Sequence, residues 1–172
     1  RPAAMMAVHW ARAMLQLQNE ILVMVATGEP LADTMDTLCR GVEASLPGVV
    51  CSVLAVGMDG CLHPLAGPSL PRDYCDALDG LAPGADVGSC GSAVHLKRPV
   101  EVIDIATDPR WAAYAARPLS LGLRACWSTP IMARDGGVLG AFAFYFREPR
   151  RHTPQEAQVV QTCIHLSAIA LE

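Results

Sequence analysis

Two strand-length segments, 124–132 and Val138–Phe146, stand either side of Arg134-Asp135-Gly136-Gly137, and this arrangement constrains the fold more than any other part of the chain. Val138–Phe146 is the longest unbroken apolar run, yet it falls far short of the roughly 20 residues that a membrane span needs. A short apolar run bounded by turn residues reads as a strand buried in a protein core. With Asp-Gly-Gly between them, the two segments make an antiparallel hairpin that belongs at the centre of a sheet. A second hairpin precedes it: Val49–Val56 is β-branched and apolar, Met58-Asp59-Gly60 supplies the turn, and 61–66 is the returning arm. Residues 100–103 add one short strand.

Helical patterns enclose these strands. Trp10, Met14, Leu17, Ile21 and Met24 recur at four-three-four-three spacing, a narrow stripe suited to a partner helix. Gly28-Glu29-Pro30 interrupts it, and Leu31–Ser45 resumes with Leu31, Met35, Leu38 and Val42 before Leu46-Pro47-Gly48 ends the pattern. Residues 71–78 make a short helix, and 81–85 a loop leading into a Gly-Ser-Cys-Gly turn at 88–91. Asp108-Pro109 reads as an N-cap with proline at the first helical position, opening a helix through Trp111 and Tyr114. Thr153-Pro154-Gln155-Glu156 carries a capping box, followed by Ala157, Val160, Ile164, Ser167 and Leu171 at helical spacing. Two helices, hairpin-joined strands and a final helix predict an α+β fold with the terminal helices on one face of an antiparallel sheet.

Composition narrows the function. The 172 residues suit one domain, and with 52% apolar against 17% charged residues there is apolar surface to spare for a pocket or a subunit contact. The net charge is −4 and the thirteen Lys and Arg are scattered, so nucleic acid is not an expected partner. Seven cysteines without a C-x-x-C pair fit neither a secreted disulfide framework nor a zinc knuckle, and no signal-peptide order opens the chain, so reduced thiols and a cytoplasmic location are expected. No H-E-x-x-H, P-loop or nucleophile-elbow motif is present, which leaves no catalytic or metal assignment. The chain starts at Arg1 and stops inside a helical pattern, as an excised module would.

A few residues carry possible chemistry. Cys90 is either a small filler in its turn or a thiolate favoured by the amides of a helix over 92–97. The strand period puts Arg124, Cys126 and Ser128 on one face and Ala125, Trp127 and Thr129 on the other, with either face free to line a pocket. Asp104 and Asp108 read as turn-closing and capping carboxylates before they read as an acid-base pair. Trp111, Tyr114, Trp127 and Tyr145 are polar-tipped aromatics able to wall a cavity or fill a core. Arg124, if buried, demands an anion, either Asp104 or a ligand.

The succession Gly88-Ser89-Cys90-Gly91-Ser92-Ala93, Asp104-Ile105, Asp108-Pro109-Arg110-Trp111 and Gly122-Leu123-Arg124-Ala125-Cys126-Trp127-Ser128-Thr129-Pro130-Ile131 resembles a GAF domain. The subtype it is most similar to sits in bacterial signalling proteins beside PAS modules, histidine kinases and cyclic-di-GMP domains. The resemblance covers 31–172 and implies a GAF/PAS-like central sheet whose second face, roofed by 71–97 and 104–121, holds a ligand pocket. It implies a division into a signalling and dimerisation helix over 1–30 and a GAF domain over 31–172, whose last helix, 153–172, continues toward an output domain. The matched apolar stripes of the first and last helices point to a homodimer through helices 5–26 and 153–172, and an unidentified small-molecule ligand is expected in the pocket. The residues expected to bind that ligand are Ser89, Cys90, Asp104, Asp108, Trp111, Tyr114, Arg124, Cys126, Trp127, Ser128 and Tyr145. The chain shows none of the cyclic-nucleotide pattern, the bilin Cys-His pair or a clear haem ligand, so the cofactor stays unassigned; His63 and His95 are the weak haem candidates. The expected role is non-enzymatic sensing. Two other readings stand beside it: an empty dimerisation spacer, or a thiol redox sensor or reductase. The free methionine-R-sulfoxide reductases are similar in placing cysteines where Cys90 and Cys126 stand, but their strand carboxylates are missing from 140–146.

Overall fold

The computed structural model describes residues 2–172; Arg1, where the first expected segment begins, lies outside them. Two helices, α1 (Pro2–Ala26) and α2 (Leu31–Ser45), lead into β1 (Val49–Val56) and β2 (Leu62–Ala66). Then come α3 (Arg72–Leu78), α4 (Gly88–Leu96), β3 (Val100–Val102), a 3-10 turn (Pro109–Trp111) and α5 (Ala116–Ser120). The hairpin β4 (Ala125–Met132) and β5 (Val138–Phe146) and the helix α6 (Pro154–Leu171) complete the chain. The five strands lie in the order β2-β1-β5-β4-β3, every neighbouring pair antiparallel, with β5 at the centre as its apolar run requires.

Alternation along β5 divides the core. Phe142, Phe144 and Phe146 point to the layer of α1, α2 and α6, while Ala141, Ala143 and Tyr145 point to the other face. The three phenylalanines form an edge-to-face ladder, with centroids 5.6 and 6.4 Å apart. Met35, Leu38 and Val42 of α2 and Val159, Val160 and Leu166 of α6 close over it. The start of α6 is fixed as its capping box foretells: Thr153 Oγ1 accepts from the Glu156 amide at 3.1 Å, and Glu156 Oε1 accepts from the Thr153 amide at 2.8 Å. Arg150 grips Glu156 with both terminal nitrogens, at 2.9 and 2.8 Å, and lies 3.8 Å over the Phe146 ring. The end of β5 and the beginning of α6 are thereby one joint.

Three local expectations change. The stripe of α1 meets helices of its own chain, because Met14, Leu17 and Ile21 are buried against α2 and α6. Leu17 rides over Gly41, where an added Cβ would come within 2.5 Å of its methyl carbon. The Gly-Ser-Cys-Gly segment is the first turn of α4 and not a turn before it; burial on the sheet overrides the low helix propensity of glycine and serine. Asp108 does cap, accepting from the Arg110 amide at 2.9 Å, but only a 3-10 turn follows, and the next helix waits until Ala116. No helix among the described residues is long and apolar enough to cross a membrane.

Candidate functional site

The sheet face opposite the long helices carries Val50 and Leu54 of β1, Cys126 and Ser128 of β4, and Ala141, Ala143 and Tyr145 of β5. The small alanines leave room for α4 to lie directly on the strands. Its first turn is then stitched down by side chains. Ser89 Oγ donates to the Cys126 carbonyl at 3.0 Å and accepts from Trp111 Nε1 at 2.9 Å. Cys90 Sγ lies 2.9 Å from Ser128 Oγ, and Cys126 Sγ lies 4.0 Å from the same oxygen. Gly88 has a positive φ of 61°, a backbone conformation that favours glycine, and the Trp111 ring packs 3.4 Å from where a Cβ would stand.

Between α4, the 3-10 turn and the sheet lies a small space bounded by Leu54, Leu78, Leu81, Val87, Cys90, Trp111, Tyr114 and Tyr145. Its volume of about 20 Å³ is room for roughly one water molecule. Trp111 and Tyr74 each meet Tyr145 edge to face, with centroids 6.3 Å apart. The Tyr74 and Tyr145 hydroxyls form a hydrogen bond of 2.9 Å. The hydroxyls of Tyr74, Ser89, Ser128 and Tyr145 and the Trp111 N–H thus each bond to a neighbour at the site.

The site is electrically neutral. Burial pushes the Cys90 thiol up to about 11, only partly relieved by Ser128. Burial likewise raises Cys126, Tyr74 and Tyr145 far above their ordinary values. Of the two readings of Cys90, a small filler and a thiolate favoured by helix amides, burial supports the first, because the low dielectric outweighs the amides. Among the described residues no group of three His, Cys, Asp or Glu side chains is placed to hold a metal ion.

Of the residues expected to bind a ligand, the structure brings together Ser89, Cys90, Trp111, Tyr114, Cys126, Ser128 and Tyr145. Trp127 is not among them. The strand alternation turns it to the helix side, where it stacks on the His152 ring with centroids 3.7 Å apart and a 9° interplanar angle. His152 in turn bonds the Glu101 carboxylate through both Nδ1 and its amide. Asp104, Asp108 and Arg124 do not line the space. Asp104 closes a turn by accepting from the Ala106 amide at 3.0 Å, and Asp108 pairs with Arg110 at 2.7 Å. The Arg124 side chain is 42% exposed and sits 3.6 Å from Asp104, so its guanidinium is not the buried charge the strand position suggests; only its Nε is shielded without a partner. Tyr74 is the site residue that sequence reasoning passed over. Its signal, a polar-tipped aromatic at the middle of a short helix, acquires meaning only once Tyr145 is opposite it.

Comparison with known proteins places this geometry. The family described as the GAF domain matches residues 28–172. A methyl sulfide methyltransferase-associated sensor of Methanosarcina acetivorans is 31% identical over 163 residues, which is 94% of this chain and 16% of that protein. The chain therefore spans about a sixth of that relative's length. The GAF domain of a Coxiella burnetii phosphoenolpyruvate-protein phosphotransferase superimposes with a TM-score of 0.70 at 22% identity, covering 92% of each chain. The type II free methionine-R-sulfoxide reductase of Thermoplasma acidophilum does so with 0.67 at 14% identity, covering 82% of this chain and 92% of its own. Identities of this order show a shared fold and carry no activity with them.

Proposed function

This chain belongs to the GAF domain family, and from that membership we propose that it is a sensory and regulatory domain, not a catalytic one. A small molecule is taken into the space beneath α4, and its binding changes the packing of α1 and α6, which an attached output domain reads. The observation that carries the proposal is the construction of β5. Tyr145 faces the site, and its neighbours Phe144 and Phe146 face the helices, with Arg150 of the α6 joint lying on Phe146. A shift of Tyr145 cannot leave that joint untouched, because close-packed strands transmit displacement. The name of the Methanosarcina relative, a sensor, supports the same role.

In this reading residues 1–30 are the signalling helix, 31–172 the sensing domain, and the protein is a cytoplasmic homodimer through 5–26 and 153–172. The dimer contact on α1 falls on Val8, Leu15 and Leu22, exposed residues at seven-residue spacing opposite the buried stripe. Native mass spectrometry of the purified protein tests the proposal. A dimer retaining an additional small mass is the expected result; a monomer that takes up no metabolite from an extract would overturn it.

One observation favours a second reading, a thiol redox sensor: both Cys90 and Cys126 lie beside the Ser128 hydroxyl. Their raised pKa values oppose it, and the site face of β5, with Ala141, Ala143 and Tyr145, has no carboxylate to hold an amino acid's ammonium group.

A further inference from the structure

The site's lining specifies what kind of molecule it accepts. Among the described residues that bound the space none is charged: the polar atoms on offer are phenol, thiol, hydroxyl and indole groups. Of the charged residues next to the lining in sequence, Arg110 is paired with Asp108 and Asp79 with His63, while Asp86 is exposed. An anion carried inside would lose its water and gain no counter-charge. The amino end of α4 borders the space, but a helix terminus offers only about half a charge, enough to favour a hydroxyl or carbonyl oxygen and too little to neutralise a carboxylate. Trp111, Tyr114 and Tyr145 are flat walls, and flat molecules pack best against them.

Size specifies how it enters. Room for about one water does not admit a ring. Tyr74 does not itself border the space but stands behind its Tyr145 wall, edge to face with that ring, and it is readily displaced because α3 has only seven residues and its outer side is held by the exposed ion pair of Asp73 with Arg117 at 2.6 Å. When Tyr74 leaves, the Tyr145 hydroxyl, on a residue only 2% exposed, loses its partner. A molecule that takes the place of the Tyr74 ring must also supply the missing hydrogen bond.

We infer that the space beneath α4 takes an uncharged, flat, largely apolar molecule with one hydrogen-bonding atom, which displaces the Tyr74 ring and bonds the Tyr145 hydroxyl in its stead. This rests on the sensory reading above and deepens it by naming the ligand class and the side chain that admits it.

Calorimetric titration with indole, which is neutral and has one N–H, and with indole-3-carboxylate, the same ring with a charge, provides the test. Tyr74→Ala opens the ring-sized space, and Tyr74→Leu serves if the alanine variant does not fold. The expected result is that the opened variant binds indole at least about tenfold more tightly than the unaltered protein, as an apolar cavity of ring size does. Indole-3-carboxylate should bind at least about tenfold more weakly than indole. Adding Tyr145→Phe should weaken indole binding by about fivefold, the worth of one hydrogen bond. Equal or tighter binding of the carboxylate overturns the inference while leaving a sensor with a charged ligand. Failure of both probes to bind a folded variant overturns it also, and native mass spectrometry of the unaltered protein then decides the sensory reading separately.

Discussion

Tyr74 of the roof helix α3 and Tyr145 of the central strand β5 meet hydroxyl to hydroxyl at 2.9 Å, both almost wholly buried. Each is the other's only hydrogen-bond partner among the described side chains. Removing one hydroxyl therefore strands the other away from water, which costs about 1–3 kcal/mol, whereas removing both leaves two rings in edge contact and no orphan. Tyr74→Phe and Tyr145→Phe should each lower stability within that range, and the double variant should lose clearly less than their sum. Urea unfolding of the four proteins measures this coupling directly. Simple additivity would mean that water already serves both hydroxyls.

Cys90 offers a chemical check on the neutrality of the site. With its thiol pushed up to about 11 by burial, only about one molecule in ten thousand carries the thiolate at pH 7. Iodoacetamide labelling of Cys90 in the native protein should be slow at pH 7 and climb about tenfold per pH unit through pH 9, with half-exposed Cys61 as internal reference. Mild peroxide should leave Cys90 and Cys126 as thiols. Rapid labelling at pH 7, or a Cys90–Cys126 bridge by mass spectrometry, would return the redox reading to first place.

Elements whose identity is local were legible in the sequence. The bounds of α2 could be read from apolar periodicity between Gly and Pro breakers and those of β1 and β5 from apolar runs between turn residues, and Thr153-Pro154-Gln155-Glu156 announced the start of α6, since capping chemistry is complete within four residues. The faces were not legible. Alternation separates Cys126 from Trp127 but contains nothing to say which side α4 will cover; that is decided by Cys90 reaching Ser128 on one side and His152 stacking on Trp127 on the other. Gly88–Gly91 misled for a related reason, since local propensity speaks for a turn and only the sheet beneath makes it helical. The α1 stripe was identified correctly as a helix seam, yet a stripe does not reveal whether its partner belongs to the same chain.

The two faces of α1 should therefore answer mutation differently. Leu15 and Leu22 are 64% and 42% exposed, so Leu15→Glu with Leu22→Glu should leave the far-ultraviolet dichroism and the urea midpoint nearly unchanged. Across a twofold contact the same glutamates would face each other, and sedimentation should shift from dimer to monomer. Leu17 is buried over Gly41, and Leu17→Ala should instead destabilise the fold by about 2–4 kcal/mol. A glutamate pair that leaves the sedimentation coefficient where it was would show that this stripe is no interface.

The joint at the start of α6 sets a pH dependence with a definite sign. Burial pushes the Glu156 carboxyl up, but the two-pronged contact from Arg150 and the Thr153 amide outweigh it, and the net shift is downward. A carboxyl whose pKa is lower in the folded than in the unfolded chain contributes stability that is complete above the ordinary carboxylate range. That contribution is lost as the pH falls through the folded value. Asp108, lowered by the Arg110 side chain, acts in the same direction. Glutamine can still serve at the third position of a capping box, so Glu156→Gln keeps the cap and removes only the charge facing Arg150. It should cost about 1–3 kcal/mol at pH 7 and make the urea midpoint less sensitive to acid. Thr153→Ala, which removes the cap and spares the ion pair, should cost about 1 kcal/mol and leave the acid sensitivity as it was. If both variants showed the same pH profile, the Arg150–Glu156 pair would not be what ties α6 to the sheet.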